Sequence, residues 1–175
     1  EASPVSERDW LDRWVLATLH KTVKDVTEAY ENYNVTDATR PIEAFVEVLS
    51  NWYVRRSRRR FWKSEDDGDK KNAYATLYEC LVTVAKLIAP AMPFLSEAVD
   101  RGLVVSQDGK APDSVHLAKW AEANDALIDE KLLAEMALVQ QLVSLGLAAR
   151  SSHEIGVRQP LQSVRFGVTT AGERA

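Results

Sequence analysis

Residues 55–63 read Arg-Arg-Ser-Arg-Arg-Arg-Phe-Trp-Lys, six positive charges with no acid among them. Acids follow at once in Glu65, Asp66, Asp67 and Asp69. The chain as a whole is mildly acidic, with 22 Lys and Arg against 26 Asp and Glu in 175 residues and a formal net charge of −4. A basic run on an acidic chain is a candidate site for a polyanion. On a helix, Arg55 and Arg59 share one face, and Arg56 and Arg60 share the neighbouring one. Like charges four residues apart repel by roughly a few tenths of a kcal/mol, unless something anionic offsets them. Trp52 and Trp62 flank the run and offer flat surfaces for stacking on bases or ribose. The alternative for any arginine is an internal ion pair, and both roles can hold for different members. Arg56 and Arg60 lie nearer the apolar stripe, so their loss is expected to show first in stability.

No other constellation reads as chemistry. There is no Gly-rich phosphate loop, no nucleophile elbow and no His-Glu-x-x-His. His20, His116 and His153 are scattered. The acids at 66, 67 and 69 lack the spacing and closing Glu of a calcium loop and read as a solvated loop. The lone Cys80 excludes an internal disulfide and a Cys-rich zinc site. No stretch approaches the roughly 18 apolar residues of a transmembrane helix. Glu1-Ala2-Ser3-Pro4 has neither the basic nor the apolar region of a signal peptide. The expectation is a cytoplasmic protein with no membrane contact.

The elements that must position the basic run are helical. Trp10, Trp14, Leu16, Leu19, Val23 and Val26 predict a helix over about 7–33, with Ser6 as its N-cap. Asn34 to Asp37 reads as a loop or cap. A second helix over about 38–62 carries Pro41 in its first turn and Ile42, Phe45, Val46, Leu49, Trp52 and Tyr53 on its inward face. Residues 64–70 read as a loop, and a third helix follows over about 71–89. Pro93 suits the first turn of a short helix over about 93–103, because an N-terminal helical N–H needs no intrahelical partner. After a loop and an extended link, a long helix is predicted over about 125–151, with Ile128, Leu132, Leu133, Met136, Val139, Leu142 and Val143 facing inward. Trp10 and Trp14 are expected in the core. Glu97 reads as an ion-pair partner, and Arg150 as either a phosphate contact or a charge favourable to the helix C-terminus. Val164, Phe166 and Val168 alternate with Arg165 and Gly167, which is strand patterning. A lone strand is not stable, so this tail reads as the start of something longer. The predicted fold is all-α, an antiparallel helix bundle with a short extended or β tail.

The string at 51–62, Asn-Trp-Tyr-Val-Arg-Arg-Ser-Arg-Arg-Arg-Phe-Trp, resembles a signature of the isoleucyl-tRNA synthetase family. Other stretches resemble that family in the expected order. They are Asp12-Arg13-Trp14-Val15-Leu16, Ala89-Pro90-Ala91-Met92-Pro93-Phe94-Leu95-Ser96-Glu97, Ser114-Val115-His116-Leu117 with Trp120, and Val157-Arg158-Gln159-Pro160-Leu161. Ala91 and Ala121 depart from the usual Phe and Pro. The run to Arg60-Phe61-Trp62 resembles isoleucyl more than the related valyl and leucyl enzymes. The resemblance implies a helical anticodon-binding bundle over 1–152 and an extended tail over 153–175, the beginning of a truncated C-terminal region. It implies a parent class I enzyme that joins isoleucine to its tRNA using ATP and magnesium. The family's two ATP signatures are absent from this chain, so the fragment is expected to bind and not catalyse, without a cofactor of its own. Its expected partners are tRNA and the catalytic body of the same parent, in a monomer. The residues expected on tRNA are Arg55, Arg58, Arg59, Trp62, Lys63 and Arg158. A free-standing helical interaction module, its arginines serving acidic proteins, is the competing reading.

Overall fold

The computed structural model describes residues 2–63 and 67–167. These fall into two compact units, divided between Asp129 and Glu130. The boundary thus falls ahead of the last long helix, whereas the sequence reading divides the chain after it. The fold is all-α, and none of the described residues is in a strand.

In the first unit, helix α1 spans Trp10–Glu31 and is capped by Asp9, whose carboxylate accepts from the Leu11 N–H at 2.8 Å. Ser6 lies instead in a short 3₁₀ turn, Val5–Glu7, so the helix starts later than the periodicity suggests. The α1 face carrying Leu11, Trp14, Val15, Leu16, Leu19, Val23 and Val26 is buried. Trp10, its first residue, is about half exposed and is not core. Tyr33 closes the helix in the left-handed region (φ 56°). Asn34 then caps α2, Val35–Val48. The short turn makes α1 and α2 an antiparallel pair. Because α2 begins at Val35, Pro41 lies inside it, in the second turn rather than the first. Helix α4 spans Asp67–Ile88, so the segment expected to be loop is helical from Asp67 onward, and residues 64–66 lie outside the described ones. Val23, Val26, Ala38, Ile42 and Leu87 form a core cluster across α1, α2 and α4.

Helix α3, Arg55–Lys63, follows α2 through a wide π-helical turn, Leu49–Val54. The turn has a purpose in packing. Phe45, Leu49, Tyr53, Ser57 and Phe61 are all buried and recur every four residues. On a regular α-helix each such step advances about 40°, so the set would drift about 160° off the core. A π turn holds more residues per turn and takes up the excess. Val46 lies off this line and is exposed.

Ser57 is fully buried, and its hydroxyl has no hydrogen-bond partner among the described residues. Ser57→Ala is therefore expected to be neutral or stabilising by up to about 1 kcal/mol, since it removes an unsatisfied buried polar group. A fall in melting temperature of the alanine variant would count against this packing.

Pro93 opens helix α5, Pro93–Asp100, at its N-terminus as expected. Glu97 on α5 ties down the following link. It accepts from the Ser114 hydroxyl (2.7 Å), the Val115 N–H (3.2 Å) and Arg101 Nε (2.7 Å). Further along the link, Trp120 Nε1 donates to Thr27 Oγ1, and the Asn124 N–H donates to His20 Nδ1, so the link is laced across α1. The Ser114 hydroxyl and then Arg101 hold the Glu97 carboxyl below its ordinary range. A carboxylate depressed in the folded state adds stability above its unfolded value of about 4.3 and loses it as pH falls through the folded value. Asp100 on the same helix opposes this, because burial pushes its carboxyl up. As pH falls below about 4.3, Glu97→Gln should flatten the loss of melting temperature relative to wild type. Parallel acid titrations of the two proteins would refute the tie.

In the second unit, helix α6 spans Glu130–Ser152. Of the residues expected to face inward on it, Met136 is buried, while Val139 and Val143 are exposed. One helix and a short tail carry too little chain to enclose such a stripe. By length and composition α6 is also apolar enough to cross a membrane, which corrects the sequence reading. Over 132–149 its one charged residue is Glu135, but Gln140, Gln141 and Ser144 break the apolar run. Arg150 Nη1 donates to the carbonyls of Gly156 and Gln159, folding the start of the tail back on the helix end. From there to residue 167 the tail is irregular, without the partner that strand patterning requires, and Val168 lies outside the described residues.

Candidate nucleic-acid interface

The arginine string divides into two chemical populations on α3. Arg60 turns inward, its side chain 16% exposed. One edge of its guanidinium grips Asp12 on α1, Nη1 to Oδ1 at 2.8 Å and Nη2 to Oδ2 at 2.7 Å. The other edge grips Asp69 on α4, with Nε 3.0 and 2.9 Å from the two carboxylate oxygens and Nη2 2.6 Å from Oδ1. The Tyr53 hydroxyl adds a 2.6 Å bond to Asp12 Oδ1. Asp12 is wholly buried. Burial alone would lower the Arg60 pKa, but the bonds to Asp12 and Asp69 hold it above its ordinary value. The Tyr53 hydroxyl is pushed up, first by burial and then by Asp12. Arg60 is thus a structural charge, its fork geometry spent on two carboxylates.

Arg55, Arg58 and Arg59 are exposed, and none has an ion-pair partner among the described residues. Arg56 is exposed too, contrary to its expected place near the apolar stripe. Its guanidinium stacks over Trp52 at 4.7 Å from the ring centroid, a cation–π contact. Tyr53 takes the core position, and Trp52 is half-buried beneath Arg56. At the end of α3, Phe61 is buried against Tyr74 and Trp62 edge-on, while Trp62 itself is 70% exposed. Lys63 is the last residue of α3. The result is a short helix presenting cations and an indole outward from an ion-paired root.

A family model described as the anticodon-binding domain of tRNA ligase matches residues 12–165. The chain belongs to that family of anticodon-binding domains. Similar relatives include an isoleucine–tRNA ligase of Dehalococcoides mccartyi, 53% identical over 94% of this chain and 16% of the relative. One of Thermus thermophilus is 49% identical over 98% of this chain and 16% of its own length. One of Thermobifida fusca is 45% identical over 95% and 16% respectively. The chain therefore spans about a sixth of the length of these curated relatives.

Within the anticodon-binding domain, five of the six residues expected on tRNA, Arg55, Arg58, Arg59, Trp62 and Lys63, belong to one nine-residue helix. Arg158 lies in the second unit, exposed in a turn of the tail. Sequence reasoning missed the domain's Asp12 and Asp69 as partners of Arg60. The signal for Asp12 was available: an acid spaced with Val15, Leu16 and Leu19 on an otherwise apolar face needs a cation. Among the described residues, no three His, Cys, Asp or Glu side chains group to hold a metal ion.

Proposed function

We propose that this domain binds tRNA through the outer face of α3, within a ligase that attaches isoleucine to its tRNA using ATP and magnesium. The observation that supports this is the contrast along one helix. Arg60 is fully ion-paired, whereas Arg55, Arg58 and Arg59 stand in solvent with no carboxylate partner among the described residues. Phosphates would offset the repulsion among them, and Trp62 would stack on an unpaired base or ribose. The domain contributes binding, and the ATP chemistry belongs to other parts of the ligase. The enzyme works in the cytoplasm as a monomer, away from membranes. Isoleucine specificity rests on the agreement of the relatives' names over nearly all of this chain.

The test is filter binding of the complete polypeptide to the isoleucine-acceptor tRNA, with a non-cognate tRNA and an acidic polypeptide as competitors. The expected result is salt-dependent binding that the acidic polypeptide does not displace and the non-cognate tRNA displaces weakly. Displacement by the acidic polypeptide at matched charge would favour a protein-interaction module instead.

A further inference from the structure

Helix α3 has little of its own to fix its rotation. It is nine residues long, enters through a wide π turn, and among its described side chains buries only Phe61 and the small Ser57. Rotation about its axis would swing Arg55, Arg58 and Arg59 together. Arg60 opposes such rotation because its planar fork is held from two sides by carboxylates on different helices, Asp12 on α1 and Asp69 on α4. Two bidentate grips on one guanidinium define its plane, and so the azimuth of the helix that carries it.

We propose that Arg60 and Asp69 are positioning residues for tRNA, aiming the outer arginines of α3 without touching RNA themselves. This rests on the reading that the outer face of α3 binds tRNA. The proposal makes a prediction opposite in sign to simple electrostatics. Asp69 is a negative charge beside a basic helix, and removing it should by charge alone tighten RNA binding. If it positions the arginines, removing it should loosen binding.

The test measures tRNA affinity against salt, with thermal unfolding alongside, for the complete polypeptide and its Asp69→Asn, Asp69→Glu, Arg60→Lys and Glu43→Gln variants. Glu43, an exposed acid on α2, controls for loss of a negative charge. Asp69→Asn and Arg60→Lys should stay folded at the assay temperature, bind tRNA about threefold to tenfold more weakly, and lose about one unit of salt slope. Asp69→Glu should recover part of both, and Glu43→Gln should bind as wild type or tighter. Asp69→Asn binding with wild-type or greater affinity overturns the proposal. So does affinity lost only in step with the unfolded fraction at an unchanged slope. If the wild-type polypeptide fails to bind tRNA, the functional reading falls first and the proposal with it.

Discussion

Arg60→Met should lower the melting temperature by roughly 10 °C, the largest stability effect expected of any arginine in the string. Asp12 has no exposure to solvent, and Arg60 supplies two of the three hydrogen bonds described at its carboxylate, with Tyr53 giving the third. Removing the guanidinium leaves a buried charge with a hydroxyl for company. Breaking a buried pair from one side costs about 3–5 kcal/mol. With the Arg60 side chain only 16% exposed, water screens little of that loss. Arg59→Met, one residue away on the exposed side, should change stability by no more than about 0.5 kcal/mol. A double variant, Asp12→Leu with Arg60→Met, should be more stable than Arg60→Met alone, because no charge then remains buried. Calorimetric melting of the four proteins decides it. Equal melting temperatures for Arg60→Met and Arg59→Met would show that the pair carries no stability.

Replacing Arg55, Arg58 and Arg59 together by Gln should weaken tRNA binding about 100-fold near 0.15 M salt and reduce the slope of log K against log salt by about two to three units. Gln preserves helix propensity, so α3 should persist. Removing the Arg55–Arg59 repulsion should leave melting unchanged or slightly raised. Phosphate contacts position RNA without reading its sequence, so discrimination between cognate and non-cognate tRNA should fall far less than affinity. Fluorescence anisotropy across a salt series gives slope and affinity together. A triple variant that keeps the wild-type slope would remove these three side chains from the RNA interface.

The bundle was legible in the sequence because apolar residues at three- and four-residue steps are unambiguous over helices as long as α1 and α4. The ends were less so. Ser6 and Asp9 are both good caps, and the choice depended on whether Pro4 started a separate short turn. The acidic stretch at 67–70 reads as loop by composition, yet it is helical, with Asp69 held by Arg60 from the preceding helix. That is a tertiary contact overriding local preference. The basic run was visible at once, but its division into inner and outer charges was not. Helical spacing puts Arg56 and Arg60 on one face, and only the positions of Asp12, Asp69 and Trp52 in three dimensions separate them. The periodicity of α6 marks it as apolar, but periodicity carries no information on what covers it.

The wide turn at Leu49–Val54 also bears on how this chain tolerates changes in length. Ser50 lies within it and is exposed. Deleting one residue there shortens the run from Phe45 to Phe61 by one step, which on a regular α-helix removes about 100° of rotation. That is most of the roughly 160° excess, so on an ordinary α-helix Tyr53 and Ser57 would fall within about 20° of Phe45 and Phe61 within about 60°, which returns all three toward the core. Deletions of one residue should therefore collect at this turn among related sequences, as gaps that leave the bearing of the downstream arginines nearly unchanged. The same deletion made in α3, between Ser57 and Phe61, has no such reserve and would turn Arg60 away from both of its carboxylates.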